Sequence, residues 1–306
     1  MIMQKARIAI LIIALAFMVV VVYDQWDKLQ SFNWVIRKDY LAASIVGIVG
    51  LLFLDALGWH LILRAMGQQI SAEQSIRIWQ ISSLARYIPG GIWSYASRVT
   101  LAKGAGVNFT YASMSLYLET LLLMASSLAV GLPALFATTG LPFSPLSSVA
   151  LCLSLGLMMH PKIISLLRYL PGKTGDGISR MTLPSVKCTL GLYGYYLVFW
   201  ILFGVVFDCY VAAFFPLPLQ SWIPAGASIA LGFFIGFVLI FIPGGLGVRE
   251  SALYVLLLPF LPAPVSLLIS VSSRLWIILG ELLSLGIILI YGKLVKLDPL
   301  KNLITK

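Results

Sequence analysis

The sequence predicts an all-α polytopic membrane protein, with about six full crossings and two oppositely oriented re-entrant hairpins forming an inverted repeat. Three observations predict it. Apolar residues make up 60% of the chain and charged residues 10%, with a mean hydropathy of +0.99, whereas a water-soluble surface needs roughly a quarter of its residues charged. Apolar runs such as Ile8 to Tyr23 and Leu275 to Tyr291 approach the roughly 20 residues that a bilayer crossing requires. Finally, the tripeptide Pro-Gly-Gly breaks two further apolar segments, at Pro89–Gly91 and at Pro243–Gly245.

The first crossing is expected near 7–23. It begins like a signal peptide, but no small-residue cleavage site follows and the run meets DQWDK, so it is read as a retained span. Further crossings are expected near 40–63, 111–138, 145–160, 189–215 and 264–291. Lys5 and Arg7 precede the first, Arg64 and Arg77 follow the second, and Lys162, Arg168, Lys173, Arg180 and Lys187 lie between the fourth and fifth. Lys293, Lys296, Lys301 and Lys306 follow the last. The opposite loops are uncharged (TTGLPFSPLSS, FFPLPLQSW, PFLPAP) or, at 24–39, balanced between three basic and three acidic residues. The positive-inside rule then gives both termini cytoplasmic, and the cytoplasmic (inner) membrane is the expected location. The net charge of +10 is explained by this topology and not by nucleic acid, because the basic residues form no stripe.

One membrane domain spans 1–306. The longest polar stretch, the cytoplasmic loop 161–187, is too short for a separate catalytic fold of about 100 residues. Cys152, Cys188 and Cys209 are odd in number and lack CxxC spacing, which supports neither a disulfide framework nor a zinc site. No cofactor is expected, and no Walker A sequence occurs.

Segments 72–103 and 222–260 do not read as ordinary crossings. The first carries Glu73, Arg77 and Arg86 before its break and Arg98 and Lys103 after it, a composition unsuited to hydrocarbon. Loop-charge parity has it enter and leave on the cytoplasmic side, and has the second hairpin enter and leave on the other. The arm Ala225 to Phe241 is about 25 Å long as a helix, so it nearly crosses. Aligning the breaks sets RYIPGGIWSYASR (Arg86 to Arg98) against IFIPGGLGVRESA (Ile240 to Ala252). Each hairpin lies between two crossings, giving repeat A at about 40–138 and repeat B at about 189–291. Gly/Pro-interrupted helices at matching positions of an inverted repeat point to a transport site, because freed backbone groups are tolerated only where they line a cavity.

The chemistry of such a break favours anions. A helix starting after Pro-Gly-Gly directs unpaired N–H groups and its positive dipole end into the break, and glycine permits close approach of a phosphate oxygen. Pro89, Gly90, Gly91, Pro243, Gly244 and Gly245 are therefore candidate binding residues, together with Arg86, Arg98, Arg249 and Arg274, whose guanidiniums bind phosphate bidentately. The plainer alternative is that the triplets only kink packed helices while the arginines reach out to the interface. Glu119, Glu250 and Glu281 are intramembrane acids, read as partners of the arginines or proton carriers, with structural ion pairs as the alternative. Arg274 and Glu281 stand two turns apart on one helix face and are expected to share a cavity. Asp55 and Asp208 are weaker candidates; His60 and His160 lack ligand spacing; Trp26, Trp34, Trp59, Trp79, Trp93 and Trp222 are assigned to an aromatic belt.

At IPGGLGVRE (Ile242 to Glu250), with RYIPGG before it, the chain resembles the transmembrane family typified by the flippase part of bacterial lysylphosphatidylglycerol synthase/flippase proteins. The resemblance covers nearly the whole chain. It implies translocation of a modified phospholipid or of a polyprenyl-phosphate-linked sugar. The matching positions are Pro243, Gly244, Gly245, Arg249 and Glu250, and then Arg86, Pro89, Gly90 and Gly91. Ending at Lys306 without an aminoacyl-transfer domain, the chain is not expected to make lysylphosphatidylglycerol itself. The expected function is thus a non-enzymatic flippase or scramblase for an anionic phospholipid or polyprenyl-phosphate lipid. A membrane-embedded transferase, a small-solute transporter and a structural subunit are the alternatives, and a homo-oligomer stays open.

Overall fold

The computed structural model describes residues 19–32, 34–88, 92–139, 182–238 and 247–294. Among these, every regular element is helical: α1 (Lys38–Ala65), α2 (Ala72–Ser83) continued by a 3-10 turn (Leu84–Tyr87), α3 (Trp93–Gly104), α4 (Phe109–Thr139), α5 (Val186–Ala212), α6 (Leu219–Val238), α7 (Val248–Leu257) and α8 (Ala263–Leu294). Residues 19–31 are helical as well. Both Pro-Gly-Gly triplets, the expected crossing at 145–160, most of that at 7–23 and most of the loop 161–187 lie outside the described residues.

Five of these helices, α1, α4, α5, α6 and α8, are long and apolar enough to cross a membrane. The chain is an integral membrane protein. Four of the five match the expected crossings; the fifth, α6, lies where the first arm of the second hairpin is expected, and its 20 residues rise about 30 Å, a full hydrocarbon thickness. By contrast α2 and α3 have 12 residues each, about 18 Å, and cannot span. Helix α2 packs on α3, and α6 on α7, so each triplet stands between two paired helices.

Local signals account for the short elements. Ser71 and Gln74 form a reciprocal capping box that starts α2, with Ser71 Oγ accepting from the Gln74 N–H at 3.1 Å and Gln74 Oε1 accepting from the Ser71 N–H at 3.3 Å. Helix α3 stops at Gly106, whose φ of 90° suits only a residue without Cβ, and the Val107 N–H reaches back to the Ala102 carbonyl.

The chain resolves into two compact units. Unit 1 comprises 1–50, 127–148 and 200–280; unit 2 comprises 51–126, 149–199 and 281–306. In unit 1, Trp200, Phe203, Phe207, Tyr210 and Trp276 form a continuous aromatic core, with Trp276 stacked on Tyr210 at 4.8 Å and the Tyr210 hydroxyl donating to Ser272 Oγ at 2.7 Å. Ala134, Ala227, Leu231 and Leu256 join α4, α6 and α7. In unit 2, Trp59, Ile62, Ile78, Leu122 and Tyr196 are fully buried.

Polarity is distributed as lipid demands. Val46, Val198, Ile201, Leu275 and Ile290 point outward, while Ser126, Ser270, Ser273 and Ser284 are buried and return their hydroxyls to carbonyls three or four residues back. Association between helices in lipid depends on close packing of small residues, since burial of apolar surface yields nothing there. Gly226 of α6 illustrates this. A Cβ at that position would lie 2.9 Å from the carbonyl oxygen of Gly204 on α5 and 2.5 Å from Asp208 Oδ2. Gly194 of α5 has open space around it. Gly226→Ala is therefore expected to lower stability by about 1–3 kcal/mol through overpacking, whereas Gly194→Ala should be neutral or raise it by up to about 1 kcal/mol. Thermal unfolding of the two variants in detergent checks the contrast.

Candidate functional site

The densest polar constellation is in unit 2, and it begins with Arg98 on α3. In lipid an ionised side chain needs a partner, and Arg98, 6% exposed, has Glu119 of α4, 5% exposed: Nη1 donates to Oε2 at 2.6 Å. Its Nε donates to Ser82 Oγ of α2 at 3.1 Å. The other Glu119 oxygen accepts from Trp79 Nε1 of α2 at 3.0 Å, so both carboxylate oxygens are satisfied. The guanidinium lies 5.0 Å from the Trp79 ring and 5.5 Å from the Trp59 ring, whose own Nε1 donates to Ser115 Oγ at 2.9 Å. Desolvated cation–π contacts of this kind add to the ion pair.

A second carboxylate holds the 3-10 turn that continues α2. Glu281 of α8, fully buried, forms an ion pair with Arg86 at 3.0 Å and accepts from the Tyr87 hydroxyl at 2.5 Å. Arg86 Nε also donates to the Ser83 carbonyl. One turn along α8, Ser284 Oγ donates to Gln80 Oε1 of α2 at 2.9 Å. Thus α4 grips the arm after the break and α8 the arm before it. Arg86 keeps its side chain 41% exposed, beside exposed Tyr87, Ile88, Ile92 and Trp93. Helix α3 begins at Trp93, and Ile92, its N-cap residue, provides no side-chain cap to its first turn.

Unit 1 contains the related arrangement with charges exchanged. The acid, Glu250, is on the helix after the break, α7, and the guanidinium, Arg274, is on the long helix that follows, α8; Arg274 Nη1 donates to Glu250 Oε1. Glu250 Oε2 accepts from the Gly247 N–H at 2.7 Å and so caps α7 at a glycine whose φ of 79° other residues rarely adopt. The anion at this helix start is the protein's own carboxylate. Arg249 is partly buried with its stem against Gly236 of α6, where an added Cβ would come within 3.0 Å of Arg249 Cβ.

The expected site residues therefore fall into two groups. Arg86, Arg98, Glu119 and Glu281 assemble in unit 2; Arg249, Glu250 and Arg274 belong to unit 1. Arg274 and Glu281, expected to share a cavity, take separate partners, because two turns of α8 carry them to different carboxylate and guanidinium neighbours. Pro89, Gly90, Gly91, Pro243, Gly244 and Gly245 lie outside the described residues. Trp59 and Trp79 are corrected from belt residues to buried members of the Arg98 cluster, 0% and 3% exposed. Tyr87, Ser82 and Gln80 were missed in the sequence reading; an i,i+7 polar stripe from Gln80 to Tyr87 was the available signal. His60 shares a hydrogen bond with Ser75 at 3.1 Å, and the described residues contain no group of His, Cys, Asp and Glu able to hold a metal ion.

The family model of the lysylphosphatidylglycerol synthase TM region matches residues 5–283. The chain belongs to that family. No match was found among curated proteins.

Removing one partner of the unit 2 pair leaves the other buried and unpaired. Glu119→Ala or Arg98→Ala should each cost about 3–5 kcal/mol, while the double apolar replacement Arg98→Met with Glu119→Leu should cost less than either. Detergent unfolding midpoints of the three variants test this; additive losses would contradict a coupled pair.

Proposed function

We propose that the protein moves an anionic lipid between membrane leaflets, as a flippase or scramblase for a phospholipid or a polyprenyl-phosphate-linked lipid. The observation that carries this reading is Arg86, a half-exposed guanidinium at the end of a helical segment in a lipid-solvated fold, followed along the chain by exposed Tyr87 and Ile88. Such an exposed charge is costly at membrane depth unless water or a counter-ion reaches it. Arginine has five N–H donors, and Arg86 commits Nε and Nη1 to the Ser83 carbonyl and Glu281, with further donors for a phosphate oxygen. The start of α3, which has no side-chain cap from Ile92, adds a positive dipole end. Exposed Tyr87, Ile88, Ile92 and Trp93 would keep company with acyl or isoprenoid chains while the headgroup is held.

We read the topology as six crossings, namely α1, α4, α5 and α8 with the segments near 7–23 and 145–160, plus two re-entrant hairpins in an inverted repeat with both termini cytoplasmic. Two observations support the repeat. A short helix follows each triplet, α3 and α7, and in each half that helix forms an ion pair with the following long helix, Arg98 to Glu119 and Glu250 to Arg274. Opposite orientation rests on loop charge. In this reading α6, at 20 residues, is the longest arm of the two hairpins. We favour transport over group transfer, since the sequence has no metal-binding DxD near a membrane surface and the Glu119 and Glu281 carboxylates accept from guanidinium, indole and hydroxyl donors.

The test is reconstitution into liposomes containing fluorescent phosphatidylglycerol, with dithionite reduction reporting leaflet exchange. Wild-type protein should accelerate exchange. Arg86→Ala should slow it roughly tenfold to a hundredfold, the size of a lost charged hydrogen bond, and Arg249→Ala should abolish it, both with normal elution on size-exclusion chromatography. Unchanged exchange in both variants removes the site, and turnover of a nucleotide-sugar by the purified protein would favour a transferase.

A further inference from the structure

Charge in the unit 2 cluster does not balance through its visible pairs. Two guanidiniums, Arg86 and Arg98, face three carboxyls, Glu119, Glu281 and Asp55. Glu119 and Glu281 have the contacts described above. Asp55, on α1, does not. Its Oδ1 is buried and has no hydrogen-bond partner, although the residue as a whole is only half-buried. A buried carboxylate oxygen without a donor loses its hydration with nothing in return, and the usual resolution is that the group takes up a proton.

The surroundings of Asp55 sharpen the point. Glu119 from α4, Arg98 from α3, Arg86 from the 3-10 turn and Glu281 from α8 all act on it electrostatically, as do Tyr195 and Tyr196 from α5. Tyr195 donates its hydroxyl to the Leu54 carbonyl at 2.6 Å, which fixes α5 against α1 at this level. Tyr196 is fully buried, its hydroxyl is without a hydrogen-bond partner, and it rests on Gly58, one turn from Asp55, where a Cβ would come within 2.6 Å. Gln80, 1% exposed, has an unpaired Nε2 as well. Asp55 Oδ1, the Tyr196 hydroxyl and Gln80 Nε2 thus lack hydrogen-bond partners, as does Glu281 Oε1, whose contact with Arg86 is an ion pair, and the cluster also has a surplus acid.

We propose that Asp55 is a proton-binding site of this protein, alternately neutral and ionised, with Tyr196, whose hydroxyl lies against the next turn of α1, as the polar group that receives it when ionised. With Asp55 as a carboxylic acid the cluster is electrically neutral: two guanidiniums against the Glu119 and Glu281 carboxylates. Loss of the proton gives a net charge of −1, and arrival of a lipid phosphate at Arg86 is then opposed. Binding of the anion and binding of the proton are therefore linked in the same direction, one H⁺ added to the Asp55 carboxylate as one phosphate is bound. The linkage to lipid rests on the transport reading above; protonation of Asp55 does not.

Two measurements separate these. In detergent, pH-difference infrared spectra of the wild type should contain a carboxylic-acid C=O band that disappears in Asp55→Asn and persists in Asp208→Asn, a buried acid of unit 1. Persistence of every such band in Asp55→Asn overturns the proton site. In proteoliposomes with fluorescent phosphatidylglycerol, a one-unit pH gradient should shift the leaflet ratio by up to about tenfold for one proton per lipid, and a protonophore should abolish the shift. Asp55→Asn should equilibrate the lipid without responding to the gradient. An insensitive wild type, or a variant that responds like the wild type, overturns the coupling. A wild type that moves no lipid overturns the transport reading, and the infrared result then decides the proton site alone.

Discussion

The buried ion pair between Arg98 and Glu119 is the interaction on which the polar interior of unit 2 depends. Helices α2 and α3 are too short to span a bilayer and too polar to be stabilised by lipid contact, so their place in the fold has to come from specific bonds. The pair provides them. Glu119 binds one helix through the guanidinium and the other through the Trp79 indole, and Arg98 returns to α2 through Ser82. The two indoles that enclose the guanidinium exclude competing dipoles and keep the carboxylate as its main acceptor.

That arrangement also explains why Arg86 differs from Arg98. Both are arginines of one helical hairpin, and both meet a nearly inaccessible carboxylate. Arg98 is enclosed on every side and serves structure. Arg86, at the tip, shares Glu281 with Tyr87 and leaves much of its side chain outside. The same hairpin therefore combines a fixed charge that holds it and a reachable charge that it presents. In unit 1 the corresponding functions are exchanged in sign, with the acid on the short helix and the base on the long one.

The crossings were legible because hydrocarbon selects for continuous apolar runs. Expected spans at 40–63, 111–138, 189–215 and 264–291 meet helices Lys38–Ala65, Phe109–Thr139, Val186–Ala212 and Ala263–Leu294, each end within three residues. Segment 72–103 was legible as no ordinary crossing from its charges, and the described residues there form two helices of 12 residues each. Arg98, Glu119, Glu250 and Glu281 were identifiable by the cost of placing them in lipid, yet their pairing was not, since it depends on helix rotation that a single sequence does not encode at that distance. Trp59 and Trp79 were misassigned for a related reason: proximity to a span end is common to an interfacial indole and to one turned inward to face a cation. Asp55 ranked only as a weaker candidate because an acid inside an apolar run looks the same whether or not a donor awaits it; the structure adds that its buried Oδ1 has no hydrogen-bond partner.

Glu250 divides its two oxygens between the start of α7 and the middle of α8. Advancing α8 along its axis by one turn, about 5.4 Å, would draw Arg274 away and leave a capping carboxylate with no counter-charge, which in turn loosens the first coil of α7. Translation of a long rod is in this way geared to the winding of a short one, as a pawl gears a rack to its wheel.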